Sequence, residues 1–383
     1  MTETADVVVV GAGVVGVSAA YHLAVAGAGR VVVLEREDVV GSGSTGRCAG
    51  GFRHQFSSRI NIELSVASVL MITGFTQTHG LPLDVVQDGY LFLLRTEAEV
   101  ADFRAAGELQ RSLGVDAREL TPEEARELVP GLAVGDVRAA AYCPDDGIAD
   151  PAGLTQGYAT VARRAGAEIR LGVRVTGIAF AGGLVTGVDT SAGSIEAPVV
   201  IDAAGPWAGA LAATAGVILP LEPIPRNVVT TGAFPGVPER RTLVIDAGTS
   251  FYFHREGDGV LMGMGAPDER PSFDTTVDDR FVADRLLPTA TEVFPPLVEA
   301  GITSSWCGLY EMTPDRHPIV GPSPVEGLWL ANGFSGHGFQ HAPVIGKILA
   351  EMIVEGKART ADVAELGLAR FAEGRLATEG HVV

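Results

Sequence analysis

The sequence predicts an α/β fold: a Rossmann-type dinucleotide-binding domain interleaved with an α+β domain built on an antiparallel sheet. Three observations carry this. Val7–Val10 is an apolar run ending in Gly11-Ala12-Gly13-Val14-Val15-Gly16, then a helical stretch to about Gly27 and a second apolar run, Val31–Leu34, closing on Glu35. Between Arg226 and Gly265 the pattern changes to short extended runs (Leu243–Ile245, Phe251–His254, Val260–Met264), the texture of an antiparallel sheet. The chain then returns to strand and helix, with Leu328–Ala331, Gly333-Phe-Ser-Gly-His-Gly338 and a helix from about Pro343 to Glu355.

Each position of the first motif has a reason. Gly11 allows the tight turn, Gly13 lets the backbone approach a pyrophosphate, and Gly16 lets helix pack on strand. The helix N-terminus, at Val14 and Val15, offers N–H groups and partial positive charge to phosphates. Glu35 lies nineteen residues past Gly16, placed to accept hydrogen bonds from a ribose diol. An acid there disfavours a 2′-phosphate.

The elements between follow from local signals. A Gly/Ser-rich loop, Gly41 to Gly46, precedes a helix from about Ile60 to His79, and Asp88 to Leu94 reads as a strand. Thr121-Pro-Glu-Glu124 is a capping box with Pro at the first helical position. Asp150-Pro151 opens a helix ending near Gly166, followed by strands Glu168–Leu171, Val173–Ile178 and Leu184–Asp189. Val199–Ala203 is a buried strand leading into Ala204-Gly205-Pro206-Trp207. The predicted division gives residues 1–80, 145–215 and 305–383 to the nucleotide domain, and 81–144 and 216–304 to the other.

Composition narrows the function. A length of 383 residues suits two domains, and a net charge of −19 argues against nucleic acid and anionic membranes. No apolar run reaches the length of a membrane span, and with the first strand at about residue 6 no leader is expected. Cys48, Cys143 and Cys307 are scattered and odd in number, as expected of reduced thiols in the cytoplasm. His337 and His341 have metal-ligand spacing on a helix, but Gly338 and Pro343 are expected to interrupt that helix and no third ligand lies near, so no metal is expected. Only two lysines are present, Lys347 and Lys357.

Taken in order, GAGVVG with Glu35, Gly41–Gly46, the run Asp202–Ala208, Thr313-Pro-Asp-Arg-His-Pro318 and Asn332–Phe339 resemble the D-amino-acid oxidase-like flavoproteins, within them the sarcosine oxidase and glycine oxidase branch. Ser44-Thr-Gly-Arg-Cys-Ala-Gly-Gly-Phe-Arg-His-Gln-Phe56 is most similar to the β subunits of multisubunit sarcosine oxidases and proline-type dehydrogenases. The resemblance implies FAD and oxidation of an amine at flavin N5. It places Ser44, Thr45, Arg47, Ala49 and Gly50 beside the isoalloxazine, Val175 at the adenine, and Ala203, Ala204 and Gly205 against the cofactor. Arg36, Gly308, Gly333, Gly336, His337, Gly338, Phe339 and Gln340 complete the expected cofactor set. Trp207 reads equally as a cofactor contact or a core aromatic. Relatives that bind flavin covalently use a cysteine at the place of Gly308 or a histidine at that of Arg47; Cys307 is one residue early, which reverses its face. Non-covalent FAD is therefore expected.

Arg53 matches the family arginine that holds the substrate carboxylate, a task suited to a planar guanidinium. Gln340 stands where monomeric sarcosine oxidases carry a second, lysine partner. Tyr252, His254 and Tyr310 fall on strands expected to line the substrate cavity, or else are satisfied core residues; His54 faces flavin or solvent. The expected reaction is hydride transfer from a secondary or tertiary amino acid, N-methyl or cyclic, leaving an imine that water hydrolyses. Leu261 lies where those oxidases carry the lysine that assists oxygen reduction. A dehydrogenase using an electron-accepting partner subunit is thus favoured over a peroxide-forming oxidase. A 2-hydroxy acid dehydrogenase, a non-catalytic flavin-binding assembly protein and a nicotinamide-linked dehydrogenase are the alternatives.

Overall fold

The computed structural model describes residues 3–266 and 268–382. Its nucleotide-side sheet runs, in spatial order, Glu168–Arg170, Val31–Leu34, Val7–Val10, Val199–Asp202, Leu328–Asn332 and Ile319–Pro322. Every pair is parallel except the last. Strands buried on both faces read as continuous apolar runs, and Val7–Val10 and Val31–Leu34 are buried at every residue. One face is covered by helices Val14–Val25, Arg59–Thr73, Pro151–Arg164 and Gly338–Glu355. The first and last of these meet where Gly346 lies against Ser18: a Cβ at Gly346 would sit 2.3 Å from Ser18 Oγ. The other face packs helix Ala208–Ala213 and a four-stranded sheet containing Val175–Ala181, Leu184–Thr190 and Gly193–Glu196.

The second sheet has eight strands, in the order Ile302–Met312, Glu222–Thr231, Gly259–Gly263, Phe251–Glu256, Leu243–Asp246, Tyr90–Leu94, Ala139–Cys143 and Arg118–Leu120. It is antiparallel except where Leu243–Asp246 lies parallel to Tyr90–Leu94. Side chains alternate faces as the pleat demands. Leu91, Leu93, Phe251, Phe253 and Met262 pack under Val282, Leu286 and Phe294. Tyr90, Phe92, Val228, Ile245 and Tyr252 take the opposite face, which turns towards the nucleotide side. A domain boundary at 305 falls inside strand Ile302–Met312, which stays in this sheet to its end.

Three elements differ from expectation. The helix read over Ile60–His79 is two, Arg59–Thr73 and Phe75–His79, divided at Gly74, where a Cβ would lie 2.9 Å from Leu70 O. The last helix begins at Gly338 and runs straight through Pro343. A proline costs one helical hydrogen bond, but burial of every residue from Phe339 to Gly346 outweighs it. Helix Glu97–Ser112, closed by a Thr96–Glu99 capping box, was not anticipated.

Candidate active site

Between the two sheets lies a cavity of about 670 Å³. Its nucleotide end is made by the glycine turn. Gly11 has φ +100°, and a Cβ there would lie 2.5 Å from Ala203 O; Gly13 has only Thr45 Oγ1 near it, at 3.4 Å, and opens to the cavity with Val14 and Val15. Gly16 is off the cavity wall, since its Cβ would fall 1.9 Å from Gly11 O; it serves the helix–strand contact instead of the ligand. Glu35 closes the turn, accepting hydrogen bonds from the Ala12 N–H at 2.8 Å and the Glu37 N–H at 3.0 Å. Arg36 lies 3.7 Å above the Trp207 ring, and Trp207, Val175, Ala203, Ala204 and Gly205 line the same end. Trp207 is therefore a half-buried wall residue and not part of the core.

The loop from Ser44 to Gly50 is tied to strand Ile302–Met312. Ser44 Oγ donates to Leu309 O at 2.7 Å, Arg47 Nη1 to Cys307 O at 2.9 Å, and Trp306 Nε1 to Arg47 O at 3.0 Å. Gly308 faces the cavity across from Arg47, while Cys307 is buried on the other face of the strand. Ala49 and Gly50 follow on the wall. Opposite them the helix N-terminus at Gly338 and Phe339 points into the cavity, and Gly336 (φ +93°) packs on the Tyr310 ring. Gly333 is displaced from the wall: a Cβ would meet Thr313 Cγ2 at 2.5 Å, and its role is a tight turn behind Glu311.

The far end is aromatic and cationic. Tyr90, Tyr252 and Tyr310 line it, all three neutral, because burial pushes each phenol upward. Arg53 is only 5 % exposed. Its fork donates to the main-chain carbonyls of Gln55 and His381, and its plane lies 4.0 Å over Phe56. Among the described residues no carboxylate lies within ion-pair distance of it. Asp146 organises this loop, accepting from His54 N and His54 Nδ1, both at 2.7 Å, and from Gln55 Nε2 at 3.0 Å. Burial opposes the His54 charge, but Asp146 outweighs it and raises its pKa. His54 thus faces neither cavity nor solvent. Cys143 completes a cluster with these two, whose bonds are already spent on the loop.

Two expected substrate contacts are redirected. Gln340 spends its amide on the Arg53 backbone, accepting from its N–H at 3.0 Å and donating to its carbonyl at 3.1 Å, with a further bond to Ser65. It thereby holds the Arg53 backbone in place from the cavity wall. His254 shares a strand face with Tyr252 but lies two residues further on, beyond the cavity edge. Its ring nitrogens face Arg255 O and Ala49 O at 2.8 and 3.1 Å, and burial lowers its pKa. Leu261 is buried in the apolar cluster beneath Tyr252.

Several buried polar atoms on the cavity have no hydrogen-bond partner among the described residues: both ring nitrogens of His337, Oε2 of Glu311 and Nε of Arg226. Burial lowers His337 well below the usual histidine range, with His341 and Arg53 adding to the effect. Burial also lifts Glu311 to about 7 and its neighbour Asp202 to about 8. Arg226, paired with Glu269 and stacked 4.7 Å over Tyr310, was missed by the sequence reading, as were Tyr90 and Glu311. Strand register supplies the signal: Arg226 pairs with Gly308 and Ile224 with Tyr310. A dinucleotide turn at one end and unmet polar groups further along fit a long polar cofactor. A family model for FAD dependent oxidoreductases matches residues 6–352.

The chain belongs to the FAD-dependent oxidoreductase family. Human mitochondrial sarcosine dehydrogenase is 32% identical to it over 375 residues, covering 93% of this chain and 40% of its own length. Mouse mitochondrial dimethylglycine dehydrogenase is 31% identical, with 93% and 43% covered. The chain thus spans about two-fifths of these relatives. Among solved structures, L-proline dehydrogenase from P. horikoshii superposes with a TM-score of 0.91 at 34% identity, covering 98% of this chain and all of that one. Glycine oxidase from Geobacillus kaustophilus gives 0.86 at 29% identity, with 96% and 99% covered. This family member is a flavoprotein. No helix among the described residues is long and apolar enough to cross a membrane.

Proposed function

We propose that this flavoprotein oxidises a secondary or tertiary amino acid, N-methyl or cyclic, with its carboxylate held by Arg53. The observation that carries the reading is the Arg53 guanidinium itself: buried on the cavity wall, fixed by two carbonyls, and lacking a carboxylate partner among the described residues. A buried unpaired cation is costly, and a substrate carboxylate offsets that cost by a charge-assisted bond. Nε–H and one hydrogen on each Nη remain for it. The sarcosine, dimethylglycine and proline dehydrogenases named above support the substrate class.

FAD, when bound, would supply the acceptor for one hydride, which carries both electrons of the oxidation. The protein's own part is binding and orientation. Thr45, Arg47, Ala49, Gly50, Gly308 and the helix N-terminus at Gly338 hold the isoalloxazine end, and that N-terminus favours negative charge nearby. FAD is held non-covalently, because Gly308 occupies the cavity-facing position and the Cys307 thiol lies behind it. The Arg53 charge and the loss of bulk water both disfavour an ammonium ion, so the substrate amine gives its proton to solvent on entry. No strong base is needed. The imine product leaves to be hydrolysed by water.

The acceptor of the electrons is proposed to be a partner subunit or quinone-like carrier. No lysine lines the cavity among the described residues, Leu261 is buried beneath it, and His254 and Arg255 both turn to main-chain carbonyls. An anaerobic screen of N-methyl, cyclic and primary amino acids and of 2-hydroxy acids tests the whole reading. Flavin bleaching by the first two groups is expected. Bleaching only by hydroxy acids, or by nothing, overturns it.

A further inference from the structure

We propose that residues 377–382 form a working part of the substrate site, and that Glu379 is the positioning residue that sets the Arg53 guanidinium. The inference rests on the assignment of Arg53 as carboxylate anchor. Glu379 lies 326 residues beyond Arg53 in sequence, yet its buried carboxylate sits against the loop that carries Arg53. It accepts hydrogen bonds from Ser57 N at 2.8 Å, Ser57 Oγ at 2.6 Å, Ser58 N at 3.0 Å, Ser58 Oγ at 2.7 Å and Asn61 Nδ2 at 3.1 Å. Helix Arg59–Thr73 has Ser58 at its N-cap without a side-chain cap of its own. Glu379 therefore supplies the anion that a helix N-terminus favours, from a distant part of the chain.

The same carboxylate accepts from His381 N at 3.0 Å, which turns the His381 carbonyl onto Arg53 Nη2. The His381 ring is pinned from the other side, stacked on Phe103 at 3.9 Å and bonded to Asp102 at 3.0 Å. Val382 then reaches the cavity wall. One carboxylate thus fixes both the loop that bears Arg53 and one of the two carbonyls that orient its fork. Burial would raise the Glu379 pKa, but the bonds from Ser57, His381 and Ser58 hold it well below the usual carboxylate range, so the knot stays charged through neutral pH. Its negative field also reaches the buried guanidinium, which has no direct ion pair among the described residues.

The test compares Arg53→Leu, Glu379→Ala and a protein lacking residues 378–383, each FAD-loaded. Binding of acetate and of the substrate found in the screen is followed by perturbation of the visible flavin spectrum, alongside FAD content and melting temperature. Glu379→Ala and the shortened protein are expected to keep stoichiometric FAD and to bind acetate about 10- to 100-fold more weakly, with KM raised more than kcat is lowered. Adding Glu379→Ala to Arg53→Leu should weaken binding no further. If Arg53→Leu weakens binding and Glu379→Ala does not, the inference on Glu379 is overturned and the anchor stands. If Arg53→Leu leaves binding intact, the anchor fails and the inference with it. Should Glu379→Ala not fold, Ser57→Ala and Ser58→Ala each remove one hydroxyl donor; acetate affinity unchanged in both also overturns it.

Discussion

Arg53 holds a positive charge in a buried position where its direct contacts are carbonyl dipoles and aromatic faces. Replacing it with leucine removes a costly buried charge and a ligand contact together, so stability and binding should part company. Arg53→Leu is expected to retain FAD while substrate affinity falls by about 2–4 kcal/mol, roughly 30- to 1000-fold. Titration of the oxidised flavin checks this, and unaltered saturation by every active substrate would rule the anchor out. Glu311 gives a second residue-scale prediction. Its carboxyl is raised from 4.5 to about 7 by burial, so the folded chain binds that proton more tightly than the unfolded one. The associated stability is complete below pH 4.5 and is lost as pH rises through 7, up to about 3 kcal/mol. Glu311→Gln, neutral at every pH, should match the parent near pH 4.5 and melt at a higher temperature at pH 8. Parallel melting profiles from pH 5 to 8 would contradict it. Arg53 was legible because its neighbours in sequence form a recognisable loop. Glu311 and Glu379 were not, because their significance depends on partners brought near only by folding.

At the scale of elements, the βαβ unit separates two uses of glycine. Gly16 is filled against by the Gly11 carbonyl, whereas Gly13 faces open cavity. Gly16→Ala should destabilise the fold by about 2 kcal/mol or more, since the atom it would strike is main chain and cannot swing away. Gly13→Ala should fold and melt like the parent as apoprotein, yet bind FAD at least tenfold more weakly in a fluorescence-quenching titration. Equal FAD affinity would show that the cofactor does not approach that turn. This unit was readable from sequence because each residue answers to its own backbone. Elsewhere tertiary packing overrode local signals. Pro343 sits inside a helix whose buried flanks tolerate it, and Gly74 divides a helix that apolar spacing alone reads as continuous. Helix Glu97–Ser112 is signalled in sequence by Thr96 and Glu99, its capping box. Tyr252 and His254 share a face, so alternation could not tell wall from support; the length of the cavity decides that.

For the whole molecule, the arrangement of charge around the cavity bears on oxygen. Stabilising a nascent anion in a water-poor site is commonly worth several kcal/mol, and here Leu261 is apolar while His254 and Arg255 turn to main-chain carbonyls. Reduced enzyme mixed with air-saturated buffer should therefore reoxidise over many seconds, and stopped-flow traces finishing in milliseconds with stoichiometric peroxide would overturn the dehydrogenase reading. The order of the strands has another consequence, for how the protein comes into being. Strand Val7–Val10 finds its neighbours at 199–202 and 31–34, and helix Val14–Val25 rests on a helix whose bond from Ser18 to Pro343 spans 325 residues. At about 5–20 residues per second of synthesis, the opening segment waits roughly 15–65 s for the helix that covers it. Through that interval its valine-rich strands are only partly covered, by helices Arg59–Thr73 and Pro151–Arg164, and the glycine turn lacks the Gly338–Glu355 helix opposite. Cofactor capture therefore belongs to the end of biogenesis, and a nascent chain halted before Leu328 should emerge flavin-free and dependent on a chaperone.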